Sequence, residues 1–384
     1  MKIIVTKSTN SSIKRDVLIK LDWQITEKKK QRISQLSVFL YEINENCLLL
    51  SQINKAMIKR LGILIIAGVL LSAGSVYSQD PHFSQFYANP VYLNPAMAGS
   101  VICPRLILNF RNQWPSILGT YVTYNASYDQ HIPALSGGIG ILVNADRAGA
   151  GILNTTQVSG IYSYRLEVSR EFSIKAALQA TYFQRSLDWD KLRFPDQLDP
   201  KYGFVYNSAE PLPDELRRSF VDFSAGIVGY HEKFFIGGAV HHLTQPDEGF
   251  NSVTRMPMRF TGHVGTTISI ESSNARKGTL EETTLSLNAL YMHQQDFQQL
   301  NYGIYFNKYP FVGGVWFRQN FNNPDAMIFL VGLQQEAFKF GYSYDLTVSK
   351  LSNASGGSHE FSVTFQFECP QKMKRIRPIN CPQF

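Results

Sequence analysis

The chain carries little of what catalysis needs. It has no GxxxxGK[ST] phosphate loop, no GxSxG elbow, no HExxH pair and no CxxC spacing. Nucleotide hydrolysis, elbow-type acyl transfer and zinc-peptidase chemistry therefore have no anchor. After residue 78 there is no apolar run of about 18 residues, which excludes a helical inner-membrane protein. Cysteines number only four and charged residues only 17%. The surplus of basic charge is confined to one end. Residues 1–78 hold 12 Lys and Arg against 5 Asp and Glu, whereas the 306 residues that follow hold 25 of each. Nucleic-acid binding loses its electrostatic footprint, and no nucleic-acid partner is expected.

What is present begins at Met57. Lys59 and Arg60 are followed by an apolar stretch of 11 residues, Leu61 to Leu71, and by small residues at Val76 and Ser78. These are the three parts of a secretory signal peptide, 57–78, with cleavage before Gln79. The apolar stretch is too short to span a bilayer, which takes roughly 20 residues. No cysteine follows it at once, so a lipid anchor is not expected. Residues 1–56 are mixed and basic, and are read as an upstream start choice; the alternative is a true cytoplasmic extension ahead of an internal signal.

Beyond residue 78 the chain is rich in Phe (25) and Tyr (17) and shows period-2 alternation. Phe361, Val363, Phe365 and Phe367 alternate with Ser362, Thr364, Gln366 and Glu368. Phe338, Phe340, Tyr342, Tyr344 and Leu346 alternate with Lys339, Gly341, Ser343, Asp345 and Thr347. Leu106, Leu108 and Phe110 alternate with Arg105, Asn109 and Arg111. About 14 such strands are predicted between 103 and 368, from 103–113 and 120–130 through 337–348 and 359–368. Alternation alone fits a soluble sandwich or a membrane barrel. Aromatic residues near strand ends favour an all-β, transmembrane, antiparallel outer-membrane β-barrel, apolar toward lipid and polar toward the lumen. An even count puts both termini on the periplasmic side. The longer connections 188–218, 244–256 and 349–358 then all lie outside, while 272–281 is a longish periplasmic turn, a mild misfit.

Two segments flank the barrel. Residues 79–102 form an irregular periplasmic segment that caps the lumen or enters it from below. Its pairs Asn89-Pro90 and Asn94-Pro95 break any strand. The tail 369–384 carries Lys372, Lys374, Arg375 and Arg377, and reads either as a solvated terminus or as a periplasmic docking segment. Cys103, Cys369 and Cys381 allow a Cys103–Cys369 staple at the seam, a Cys369–Cys381 bridge in the tail, which is preferred, or free thiols. His241 and His242 are adjacent, so on a strand they face opposite sides and share no metal. No metal, cofactor or catalytic residue is expected.

Several words of this sequence resemble the PorP/SprF family of type IX secretion and gliding: DPHFSQF and LNPAMAG within 80–99, FRNQWP at 110–115, LDWDKLRFPDQLDP at 187–200, IGGAVHHLTQP at 236–246, and the closing CPQF. Their order and spacing carry the likeness. The resemblance implies an outer-membrane barrel of 14 strands with no enzymatic role. It implies partnership with a secreted adhesin bearing a type B C-terminal domain, with periplasmic secretion and peptidoglycan-binding proteins, and with outer-membrane lipid. The motif positions Asp80, Phe83, Ser84, Gln85, Phe86, Asn94, Pro95 and Gly99, with Trp189, Asp196 and Gln197 in the largest loop and Lys372 and Arg375 in the tail, are then expected contact positions. The alternative is a general porin, which predicts an open polar lumen.

Overall fold

The structure is a computed structural model that describes residues 79–117, 119–169, 171–231, 233–270, 283–321, 323–349 and 355–368. The proposed extension, the signal peptide and the tail with Lys372 and Arg375 lie outside the described residues, as do Cys369, Cys381 and the turn at 272–281.

Fourteen strands close into one antiparallel barrel. They are β1 (Arg105–Gln113), β2 (Tyr121–Ile132), β3 (Gly137–Ala148), β4 (Leu153–Glu167), β5 (Phe172–Leu187), β8 (Arg217–His231), β9 (Phe234–His241), β10 (Arg259–Ser269), β11 (Thr284–Gln294), β12 (Phe297–Lys308), β13 (Phe311–Asn320), β14 (Asn323–Gln334), β15 (Phe338–Thr347) and β16 (Ser358–Gln366). Two short strands, β6 (Leu198–Asp199) and β7 (Gly203–Phe204), pair within the loop after β5. The seam joins β1 to β16, from Arg105 opposite Gln366 to Gln113 opposite Ser358. The Phe367 amide extends it by donating to the Pro104 carbonyl at 2.9 Å. Closure leaves the sheet without an open edge strand, as a bilayer requires.

The predicted faces hold where they were clearest. In β1, Arg105, Ile107, Asn109 and Arg111 are buried inside, while Leu108 is exposed to the outside. In β16, Ser358, Glu360, Ser362 and Thr364 point inward and Phe361 and Phe365 outward. The long connections 188–216, 242–258 and 348–357 share one rim, and short turns such as 133–136 and 335–337 share the other. In an outer-membrane barrel the short turns are periplasmic and the long loops external.

The lumen departs from the expectation of a polar wall. Val228, Phe235, Leu290, Met292, Tyr305, Trp316, Ile328 and Leu330 all face inward and form one apolar cluster with Phe86, Tyr87, Leu93 and Met97. These inward residues lie on β8 to β14 and are apolar because they have a protein partner inside the barrel. Strand β14 is consequently apolar on both faces over Met327–Leu333, and its alternation is weak.

The histidine pair also differs from expectation. His241 ends β9 and His242 has φ +61°, so regular alternation stops between them. Both side chains are buried, with ring centroids 6.5 Å apart.

Candidate functional site: the occupied lumen

Residues 83–101 are buried inside the barrel, apart from a half-buried Tyr92. The segment crosses the lumen from one rim to the other. Asp80 lies among the outer ends of the strands, where its amide donates to Gln294 Oε1. Gly99 lies near the opposite rim, where its amide donates to Asp129 Oδ2 at 2.7 Å. The segment expected to cap the lumen or enter it from below therefore threads through it, with Gln79 exposed at the outer mouth.

Local sequence explains the segment's shape. Asn89 and Asn94 each stand at the N-cap position of a short helical turn that begins with proline, Pro90–Leu93 and Pro95–Met97, and Asn94 alone caps through its side chain. Proline suits the first helical position because its missing N–H has no partner there in any case. Asn94 Oδ1 accepts from the Ala96 amide at 2.9 Å, and its Nδ2 donates to the carbonyls of Ile227 and Gly238, both at 3.1 Å. The Asn-Pro pairs that break a strand thus build turns compact enough to fit a barrel lumen.

Three glycines in the wall make room. A Cβ on Gly226 would sit 2.1 Å from Asn94 Oδ1, one on Gly341 2.7 Å from Gln85 Oε1, and one on Gly138 2.5 Å from the Ala98 carbonyl oxygen. Gly99 itself has φ +61° and leaves no room for a side chain, with Gly138 Cα 2.6 Å from where its Cβ would be.

A buried ionic cluster holds the outer half. The Ser84 and Gln85 amides donate to the two oxygens of the Glu360 carboxylate at 2.6 and 3.0 Å. Ser84 Oγ donates to Asp345 Oδ2 at 2.6 Å. Arg111 bridges Asp345 and Glu360 at 2.9 and 3.0 Å, and Arg318 reaches Asp345 at 2.9 Å. Two guanidinium groups and two carboxylates balance, as buried charges must. The cluster comes from β1, β13, β15 and β16, and only Ser84 and Gln85 come from the segment.

A second cluster closes the outer mouth. His242 donates through Nε2 to Asp80 Oδ2 at 2.7 Å and through Nδ1 to Asp222 Oδ2 at 2.8 Å. Arg259 Nη1 lies 3.1 Å from Asp80 Oδ2. Burial alone pushes the His242 imidazolium down, but the two carboxylates outweigh it and hold its pKa up at about 9. Burial acts to raise the Asp80 carboxyl, yet His242 and Arg259 hold it well below the usual carboxylate range. With both ring nitrogens donating, His242 is a structural cation and not a free base. Among the described residues no group of three or more His, Cys, Asp or Glu could hold a metal ion.

The external loop 188–216 forms the third feature. Trp189 is half-buried and packs against Phe194 with ring centroids 5.1 Å apart and planes tilted by 43°, over the small core of Ile152 and Leu192. Asp196 accepts from Ser208 Oγ at 2.8 Å and from the Ala209 amide at 2.6 Å. Gln197 Oε1 accepts from the Phe194 amide at 2.9 Å. These three residues organise the loop. Its exposed surface is carried by Tyr202, Phe204 and Tyr206, which the motif reading missed. At the rim below, Cys103 is disulfide-bonded, while the pairing of Cys369 with Cys381 lies outside the described residues.

A closed barrel of 14 antiparallel strands, apolar outside and filled by its own N-terminal segment, defines an integral outer-membrane protein. The family described as type IX secretion system membrane protein PorP/SprF matches residues 75–365, and the chain belongs to that family. Similar solved structures include the outer membrane protein Omp33 of Acinetobacter baumannii, 9% identical over 69% of this chain and 99% of that one, TM-score 0.39. A Pseudomonas aeruginosa FadL homologue is 13% identical over 78% of this chain and 97% of that one, TM-score 0.37. No curated protein matches the sequence.

Proposed function

We propose that this barrel serves type IX secretion and gliding as a non-enzymatic partner in the export or surface anchoring of a secreted adhesin with a type B C-terminal domain. Its periplasmic tail, including Lys372 and Arg375, docks the periplasmic secretion and peptidoglycan-binding proteins, and the loop 188–216 meets the adhesin outside. The signal peptide at 57–78 brings the chain to the periplasm.

The observation that carries the reading is the filled lumen in a chain of this family. A general porin needs an open polar lumen, and here the segment 83–101 occupies it. The motif residues Ser84, Gln85, Phe86, Asn94, Pro95 and Gly99 act first by binding the wall, and Phe83 packs edge-on against Tyr92 of the segment itself. Tyr202, Phe204 and Tyr206 offer large amphipathic contact area at a site the solvent reaches, as interface anchors do. The test is an affinity pull-down from detergent-solubilised outer membranes, with a tag in loop 188–216. A large secreted adhesin with periplasmic ring proteins is the expected catch. If deletion of the gene leaves all exported surface proteins and gliding unchanged, the reading fails.

A further inference from the structure

We propose that the lumen is a peptide-binding site, that residues 80–100 are its present occupant, and that a second peptide of the same chemistry exchanges with them. This goes beyond the secretion role and does not depend on it.

The wall holds this segment as a binding site holds a ligand. Every backbone–backbone hydrogen bond that residues 84–100 make among the described residues stays within the segment. It joins no strand. Wall side chains instead read its main chain. Glu360 takes the Ser84 and Gln85 amides. Asn109 donates to the Ala88 carbonyl at 3.3 Å and Thr261 to that of Leu93 at 3.3 Å. Ser163 and Lys175 both donate to the Ala98 carbonyl, at 2.7 and 2.5 Å. Asp129 takes the Gly99 amide.

Reading of the main chain recognises a peptide as a class, whereas the notches select its sequence. Gly226 admits the Asn94-Pro95 turn, Gly138 admits Ala98 and Gly99, and Gly341 admits Gln85. An apolar wall takes two aromatic side chains eight and seven residues ahead of that turn, Phe86 and Tyr87. The ligand class is therefore a peptide with adjacent aromatics, an Asn-Pro turn and a small-residue end.

The fit also leaves room for exchange. The side-chain amide of Asn89, in the segment itself, is at least nine-tenths buried and has no hydrogen-bond partner in the protein. An unpartnered buried amide weakens the interface, and the segment shares no ladder hydrogen bond with the wall, so its release costs less than unfolding any strand of the closed ladder.

The test keeps the full chain. A protease site is inserted between Ser100 and Val101, the protein is folded in detergent, and the site is cut, leaving the segment held by non-covalent contacts alone. A fluorescent synthetic peptide of residues 79–100 is then added in excess. The expected result is one labelled peptide per barrel and release of the original segment, with an Asn94→Ala peptide binding about tenfold more weakly for the loss of its buried hydrogen bonds. Retention of the original segment against excess peptide overturns the proposal, as does equal entry of the Asn94→Ala peptide. Amide hydrogen exchange on the unmodified protein gives an independent check. Exchange of residues 84–100 together and ahead of the barrel strands supports the proposal, and protection equal to the strands overturns it.

Discussion

Asp80 Oδ2 and His242 Nε2 lie 2.7 Å apart although 162 residues separate them in the chain. The contact fixes the path of the segment between Asp80 and Arg105. It enters at the rim of the long loops and reaches β1 at the rim of the short turns. With the long loops external, an epitope inserted between Gln79 and Asp80 should be bound by antibody on intact cells. Detection only after the outer membrane is broken would show that the segment does not thread the barrel in the cell.

The same contact gives a pH dependence. The folded pKa of His242, about 9, lies above its ordinary 6.5. A raised histidine pKa contributes stability that is complete below about 6.5 and is lost as pH climbs through about 9. The temperature at which the barrel loses its compact form in detergent should therefore fall across that window. The shift corresponds to roughly 3 kcal/mol. His242→Gln should lower the transition at pH 6 and flatten its dependence above it. A wild-type transition that is level from pH 6 to 10 would count against the imidazolium bridge.

Ser84 stands between two arginines and a carboxylate, and removing a charge there should loosen the segment. Arg318→Met leaves Asp345 and Glu360 with Arg111 alone among the cluster's guanidinium groups. Breaking a buried ion cluster in this way costs about 3–5 kcal/mol. The wild-type barrel should be electrically quiet in planar bilayers because the lumen is filled, and Arg318→Met should show channel openings. Openings of equal size and frequency in both proteins would separate the cluster from lumen closure.

Two glycines make a paired test. Gly226 faces the lumen, and any Cβ there collides with Asn94 Oδ1. Gly160 faces outward with nothing within 4 Å of its Cβ position. Gly226→Val should expel the Asn94-Pro95 turn and make the segment sensitive to protease. Gly160→Val should leave both the barrel and the segment unchanged.

Asp196 organises loop 188–216 through Ser208 and the Ala209 amide, and those hydrogen bonds, the amide first, hold its carboxyl below the usual range. Asp196→Ala should release the loop to protease and reduce capture of the external partner. The thermal transition of the barrel should not move, since no strand of the barrel depends on this carboxylate. Loss of the barrel itself would show that the loop does more than present a surface.

The sequence by itself determined the strands, and its strand-end aromatics favoured a barrel over a sandwich. Side chains on a strand alternate between faces whatever the rest of the chain does. The alternation at 105–111, 338–347 and 361–368 therefore identified both the strands and the side each residue would face. Turn residues and loop lengths supplied the even count and the rims. The sequence also marked 79–100 as irregular, through Asn-Pro pairs whose effect is local. Only the tertiary structure decided where that segment goes. Its partners, Asp345, Glu360, His242 and Gly226, lie 130 to 280 residues away in the chain, and no periodicity links them. The apolar lumen of β8 to β14 was hidden for the same reason. An inward Trp316 or Ile328 looks like a break in the pattern until Phe86 and Tyr87 are seen packed against it.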